Sequence, residues 1–356
     1  MKILFLISRS NGGSARFRVL SYLPHFKKRG ISCTIDSFIF PEFHEVLYKR
    51  GCYFRKILFI FIVFGKVFKN LFRAFFYDII FIQKKFLIIG PGWFERFLCF
   101  IKPVIYDLDD AIFLKQNNHS NIFQKLNYPQ KIKKIISSSK YVIAGNSYLA
   151  SYAKKYNKNV RIIPTAIDTE IFILKTKQQK NGPLVIGWIG SHSTLPYLME
   201  SIPLLKKVAD KYNIKLKFVS DHIPDIKVRG LEIETKDWSP DEEVKDLQSF
   251  DIGIMPQPNN DWVRGKCGFK AIQYMASGVP CVASNVGINQ DIINDGYNGF
   301  LASTKEEWVK KISKLIESPK LQNKFIKNGR KTIEERFSVQ TNLKKYLTVF
   351  RLVGND

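Results

Sequence analysis

Acidic side chains, patterned cysteines and long uncharged runs are all in short supply in this chain. Asp and Glu number 31 against 56 Lys and Arg, a formal net charge of +25. The five cysteines, at positions 33, 52, 99, 267 and 281, are odd in number and scattered. Their spacing fits neither a zinc module nor a disulfide framework, and it suits a reducing compartment. In the aromatic stretch 53–86 the longest uncharged part is Ile57–Gly65. That is far short of the roughly 18–20 apolar residues that span a bilayer. The opening MKILFLIS runs straight into Arg9 and a glycine loop, so it reads as a buried strand and not as an export signal. There is no GxGxxG, zinc finger, RNA-binding signature or arginine-rich tail, so neither a dinucleotide nor nucleic acid is an expected partner.

What is present is uneven. Residues 1–172 carry 28 Lys/Arg against 10 Asp/Glu, a net +18, and residues 173–356 carry 28 against 21, a net +7. A basic half implies an anionic partner, such as a membrane surface or a phosphorylated substrate. Lys66, Lys69 and Arg73 recur at three- and four-residue spacing among Val, Phe and Leu, the pattern of a basic amphipathic helix. Such a helix can lie in a membrane interface, aromatics in the acyl boundary and cations at anionic headgroups. The same pattern also describes a core helix with one basic face.

Short apolar runs alternate with helical patterns along both halves, which predicts parallel sheets. Strands are expected at Ile3–Ile7, Ile31–Phe38, Ile79–Gln83, Val104–Leu108, Tyr141–Ala144 and Arg161–Ile163, with a helix near Ala15–Arg29. The polar segment Leu174–Gly182 is the expected linker. Beyond it strands are expected at Leu184–Ile189, Lys215–Ser220, Leu231–Glu234, Asp251–Met255 and Pro280–Ser284. The fold class is therefore α/β, with two doubly wound, Rossmann-like domains whose ligands bind outside the carboxyl ends of the strands, facing a cleft.

Four loops at strand ends have chemical character. In RSNGGSARFR, Gly12 and Gly13 offer backbone N–H groups at a helix start, and Arg16 and Arg18 add charge. Asp107, Asp109 and Asp110 gather in YDLDD, where they suit a base, a sugar hydrogen bonder, a metal ligand or a helix cap. GSHST places Gly190, Ser191, His192 and Thr194 at a strand–helix turn, a mild phosphate signal. In RGKCGFK, Lys266 and Lys270 stand four apart at a helix start, with Arg264 beside them and Gly265 and Gly268 opening the backbone.

With VIAGNSYLASYAKKY, RIIPTAIDTEIF, FDIGIMP and the continuation AIQYMASGVPCVAS, these loops resemble the retaining glycosyltransferases of family 4, which have the GT-B fold. The resemblance runs along almost the whole chain. It implies an N-terminal acceptor domain over 1–172 and a donor domain over 173–336, with the last helix, 337–356, packing back on the first. It implies a nucleotide-diphosphate sugar held by Gly190, Ser191, Thr194, Arg264, Lys266, Gly268 and Lys270, with residues around Arg229–Trp238 near the base. Gly12 and Gly13 would approach the donor phosphates, Arg16 and Arg18 would serve the acceptor, and one of Asp107, Asp109 and Asp110 would face the donor sugar. No metal cofactor is implied, because cations and helix dipoles meet the diphosphate charge. The literal DxD of Asp107–Asp109 is discounted on the same ground of fold.

Three departures mark this chain. Gln273 replaces a glutamate that binds ribose in the family and is expected to hydrogen-bond the ribose diol in its place with less charge, Gly265 or Lys266 replaces another, and GSHST lacks the family's basic pair. Lys266 and Lys270 are then the expected substitute for that missing charge. The function expected is sugar transfer to a lipid-linked or membrane-proximal glycan acceptor in cell-surface polysaccharide synthesis, in the cytoplasm at the inner face of the membrane. A GT-B sugar-nucleotide epimerase and a non-catalytic nucleotide-sugar-binding or membrane-scaffold protein remain open alternatives.

Overall fold

The β-branched and aromatic runs of the first half pair side by side as one parallel sheet. In the computed structural model, which describes residues 1–9, 13–39, 53–84, 92–114, 130–175 and 182–354, its strands are β1 (Lys2–Arg9), β2 (Ser32–Ile39), β3 (Ile79–Gln83), β4 (Val104–Leu108), β5 (Tyr141–Ala144) and β6 (Val160–Ile162). Their order is β2-β1-β3-β4-β5-β6. The strands β3 and β4 are buried throughout, so they read as continuous apolar runs without alternation. The order reverses between β1 and β3, and a crevice at the strand ends is expected there.

The helix expected at 15–29 is three short pieces: Gly13–Arg18, a 3-10 turn at Leu20–Tyr22, and Leu23–Lys27. Pro24 lacks an N–H and sits in the first turn of the last piece, so the chain restarts there. Asn146 caps the helix Ser147–Lys154, its side-chain oxygen accepting from the Leu149 N–H at 2.8 Å.

Residues 1–165 and 342–356 form one compact unit and 166–341 the other, close to the borders expected after 172 from the linker and after 336 from the family resemblance. The final helix, Val339–Gly354, ends among the aromatics of the first unit. Tyr346 lies 4.6 Å from Tyr22 and Phe350 5.1 Å from Phe26, centroid to centroid.

The second sheet comprises β7 (Leu184–Gly190), β8 (Ile214–Ser220), β9 (Ile233–Asp237), β10 (Ile252–Met255), β11 (Cys281–Ser284) and β12 (Phe300–Ala302). Its order is β12-β11-β10-β7-β8-β9, reversing between β7 and β10. The short β12 was not among the expected strands. β9 starts two residues later than expected; it is a half-exposed edge strand held by pairs such as Lys215–Glu234 at 2.9 Å. The core gathers Trp188, Leu205, Phe218, Ile254 and Ile312. At the base of this unit its entering and leaving segments are bonded to each other. The Ile167 N–H donates to Phe337 O and the Val339 N–H to Ile167 O, both at 2.9 Å. Arg330 clamps the same place, donating to the carbonyls of Thr169, Phe172 and Ala276.

The helix Tyr53–Ala74 has the amphipathic pattern expected, but its polarity is inverted. Lys66, Asn70 and Arg73 turn inward onto Asp36, at 3.3–3.4 Å, while phenylalanines face outward. Of the two arrangements the pattern allowed, cations at lipid headgroups or a basic face turned to the core, Lys66 and Arg73 take the second, drawn toward the sheet by the nearly buried Asp36 carboxylate, while Lys69 reaches Asp36 at 3.8 Å and stays exposed. Among the described residues no helix is long and apolar enough to cross a membrane.

Candidate functional site

In the second unit, two of the motifs meet at the β7/β10 reversal. The helix Phe269–Ala276 is fixed there by Tyr274, whose hydroxyl donates to Ile254 O at 3.1 Å and accepts the Ile189 N–H at 3.2 Å. One turn earlier on the same face, Lys270 is thereby aimed at the end of β7. Its Nζ donates to Thr194 Oγ1 at 3.2 Å and lies 5.3 Å from the centre of the Trp188 ring. A Cβ at Gly190 would stand 2.6 Å from Lys270 Cε and 2.5 Å from Trp188, so only glycine lets the lysine pass. Gly268 precedes the helix at φ +62°, a left-handed conformation that suits glycine and leaves the first turn without a side-chain cap.

Burial, and then the neighbouring Lys266 charge, pull the Lys270 ammonium down to a pKa of about 8. Two cations converging beside an uncapped helix start raise the free energy of the empty site, and a bound anion relieves it. Lys266 lies over the Trp262 ring at 4.5 Å. Arg264 is turned onto its own loop, donating to Asp261 at 3.2 Å and Asn259 at 3.1 Å. Ser191 is exposed and its hydroxyl lies 2.8 Å from that of Ser193. His192 is held by Asp221, its backbone N–H at 2.7 Å and Nδ1 at 2.9 Å from the carboxylate. Burial alone would raise the Asp221 carboxyl, but these bonds hold it below its ordinary value.

Gln273 is buried, and its amide donates to Glu243 Oε1 at 2.9 Å. The Trp238 indole N–H donates to the same oxygen at 3.1 Å. A carboxylate therefore stands beside Gln273, supplied from another element. No motif marks Glu243 in the sequence; it stands in the first turn of the helix Glu243–Gln248, where acidic residues are common.

In the first unit the site elements lie at the β1/β3 reversal. Arg18 and Asp107 are fully buried and paired, with Nε to Oδ2 at 3.0 Å and a second contact from Nη2 to Oδ1. Arg18 Nη1 also donates to Ile163 O at 2.6 Å. Burial alone would lower the Arg18 pKa, but the Asp107 carboxylate overrides it and keeps the guanidinium protonated. This pair braces the unit and leaves neither charge facing solvent. Asp109 accepts from the Ser14 hydroxyl, which accepts from the Gln83 amide at 2.7 Å. Lys84 bridges Asp109 and Asp110 at 3.5 and 3.6 Å. It takes φ +57°, the left-handed region, at a cost of about 1–2 kcal/mol. Ser14, Gln83 and Lys84 carry no motif in the sequence, although Gln83 ends the expected strand Ile79–Gln83 and Lys84 follows it. Gly13 starts the helix Gly13–Arg18, where Arg16 lies over the Phe17 ring at 4.8 Å. Gly12 lies outside the described residues.

Residues 235–332 match a family model described as "Glycosyl transferases group 1". Among curated proteins, no relative matches by sequence. Solved structures match across the whole chain. Anabaena HepE in complex with UDP and glucose has a TM-score of 0.69 at 15% identity, covering 99% of this chain and 100% of that one. A glycosyltransferase from Rickettsia africae has a TM-score of 0.71 at 15% identity, covering 99% and 98%. Sucrose-phosphate synthase from Thermosynechococcus elongatus has a TM-score of 0.70 at 14% identity, covering 99% of both chains. The two parallel-sheet units have the GT-B fold, and within the second of them residues 235–332 carry the match to the glycosyl transferase group 1 model.

Proposed function

We propose that the chain transfers a sugar from a nucleoside-diphosphate donor to a lipid-linked or membrane-proximal glycan, with retention of configuration as in family 4. The observation that carries the reading is the Lys270–Thr194 hydrogen bond, 3.2 Å, which joins the two phosphate-type motifs at one strand end. Lys270 and Lys266 meet the diphosphate, assisted by the N–H groups of the helix start. The acceptor oxygen attacks the anomeric carbon as its bond to the β-phosphate oxygen breaks. The acceptor proton passes to the departing phosphate, so no dedicated protein base is required. The Asp109–Asp110–Lys84 cluster serves the acceptor side. UDP in the HepE complexes makes uridine the first base to try.

A thermal-shift screen against UDP, GDP, CMP and dTDP tests the donor pocket. One diphosphate should raise Tm selectively, and EDTA should leave both the shift and turnover intact. Activity lost with EDTA and restored by manganese would sink the metal-free reading. Absence of any shift would sink the donor pocket.

The carboxylate beside Gln273 favours one refinement. Glu243, oriented by Gln273 and Trp238, takes the ribose diol. Glu243→Gln should weaken nucleoside-diphosphate binding about tenfold, as expected for one charge-assisted hydrogen bond. It should also narrow the preference for the ribonucleotide over its 2′-deoxy form. Titration calorimetry with both ligands measures this, and an unchanged preference would assign Glu243 to folding alone.

A further inference from the structure

The helix Tyr53–Ala74 presents its polar side to the protein and its apolar side to the surroundings. Asn70 is 0% exposed and Asp36 8%, whereas Phe61 and Phe68 are 69% and 67% exposed. A surface helix that meets water is built the other way round. Phe54, Phe61 and Phe68 recur every seven residues along a helix about 33 Å long. A second helix, Trp93–Ile101, lies against the first and also exposes aromatics: Phe100 is 87% exposed and Trp93 is exposed too. The two helices lead into the parallel strands β3 and β4, and Lys84 and Asp109 directly follow the carboxyl ends of those strands.

The occupant of this face follows from its shape and charge. Contiguous exposed apolar surface of this kind marks a partner or a membrane. A coiled-coil partner would need a narrow seam of branched aliphatics. Here aromatics spread over two helices, and Gly65 interrupts the line. Arg55 and Arg96 are exposed on the same two helices, and Lys69 is 60% exposed while lying 3.8 Å from Asp36, in a half of the chain with a net charge of +18. Aromatics flanked by cations suit the headgroup–acyl boundary of an anionic bilayer. We infer that this two-helix face is a membrane-docking surface, which seats phenylalanines and Trp93 of the first unit in an anionic leaflet. The inference rests on the membrane-proximal acceptor of the proposed function and names the surface that would serve it.

The test is flotation of the full chain with vesicles of phosphatidylcholine alone, and of phosphatidylcholine with phosphatidylglycerol in about a two-to-one ratio. Binding should require phosphatidylglycerol at low salt. Phe61→Ser and Phe68→Ser should each lower the partition coefficient about tenfold. Lipids brominated in the acyl chain should quench Trp93 fluorescence, and Trp93→Phe should remove that part of the quenching. Failure to float, or flotation indifferent to both serines, would overturn the surface. A lipid-free dimer that the same substitutions dissociate would assign the face to a second copy instead. The nucleotide thermal shift is read on the same proteins. It stays intact if only the docking surface fails, and its absence in the unaltered chain speaks against the transferase reading.

Discussion

Lys270→Ala is expected to lower kcat/KM for the sugar donor by about 10²–10³-fold, the loss typical of removing one preorganised group that meets transition-state charge. The side chain is confined by Gly190 and Trp188, bonded to Thr194, and set in place by Tyr274 one turn along its helix. Water cannot reproduce that placement. Lys270→Arg keeps the charge but not the compact ammonium bonded to Thr194, so its rescue should be partial. Lys266, on the Trp262 ring, should matter less, about tenfold. The pH dependence has a definite sign. The free ammonium of Lys270 loses its proton near pH 8, so donor affinity should be full below that value and decline above it. Stability of the free protein should run the opposite way. An unfolded lysine holds its proton up to about 10.5, so between 8 and 10.5 the unfolded state binds more protons and this group makes stability rise with pH. Steady-state kinetics and nucleotide titrations from pH 6.5 to 9.5 are the check (about three units, to bracket that pKa). An unaltered kcat/KM in Lys270→Ala would remove this residue from the site.

Arg18→Ala should destabilise the first unit by about 3–5 kcal/mol, the usual cost of leaving one partner of a buried ion pair alone. Asp107→Ala should do the same. Replacing both at once with apolar residues, Arg18→Met with Asp107→Leu, should cost much less, because no charge is then stranded. Urea unfolding followed through Trp93, the tryptophan of the first unit, reads this directly. Nucleotide binding by the second unit should persist in all three proteins under native conditions. A stable Arg18→Ala protein that has lost only acceptor turnover would return Arg18 to the acceptor site.

The alternation of strands and helices was legible because buried parallel strands must be apolar along their whole length, as in IIFIQ and VIYDL. The phosphate-type loops were legible because glycine and hydroxyl residues at strand ends stand out against those runs. The partners of a charge were not. Arg18 and Asp107 are 89 positions apart, and nothing local distinguishes a basic residue that faces solvent from one that neutralises a buried carboxylate. Glu243 was invisible for the same reason, since its importance lies in meeting Gln273 across 30 positions. The helix Tyr53–Ala74 shows a further limit. Periodicity identified two faces, but which face turns inward depends on Asp36 at the far side of the contact.

The bonded pair of segments at the foot of the second unit makes that unit a cassette. Ile167 and Ser338 lie side by side as entrance and exit, and Arg330 ties both to the body of the unit. Exchanging 166–341 with the equivalent stretch of another enzyme needs only two splices, both at one stem and away from the Lys270 pocket. On the proposed division of donor and acceptor between the two units, the two choices would be inherited separately. Recombination between related genes would produce new pairings of the two without rebuilding either core.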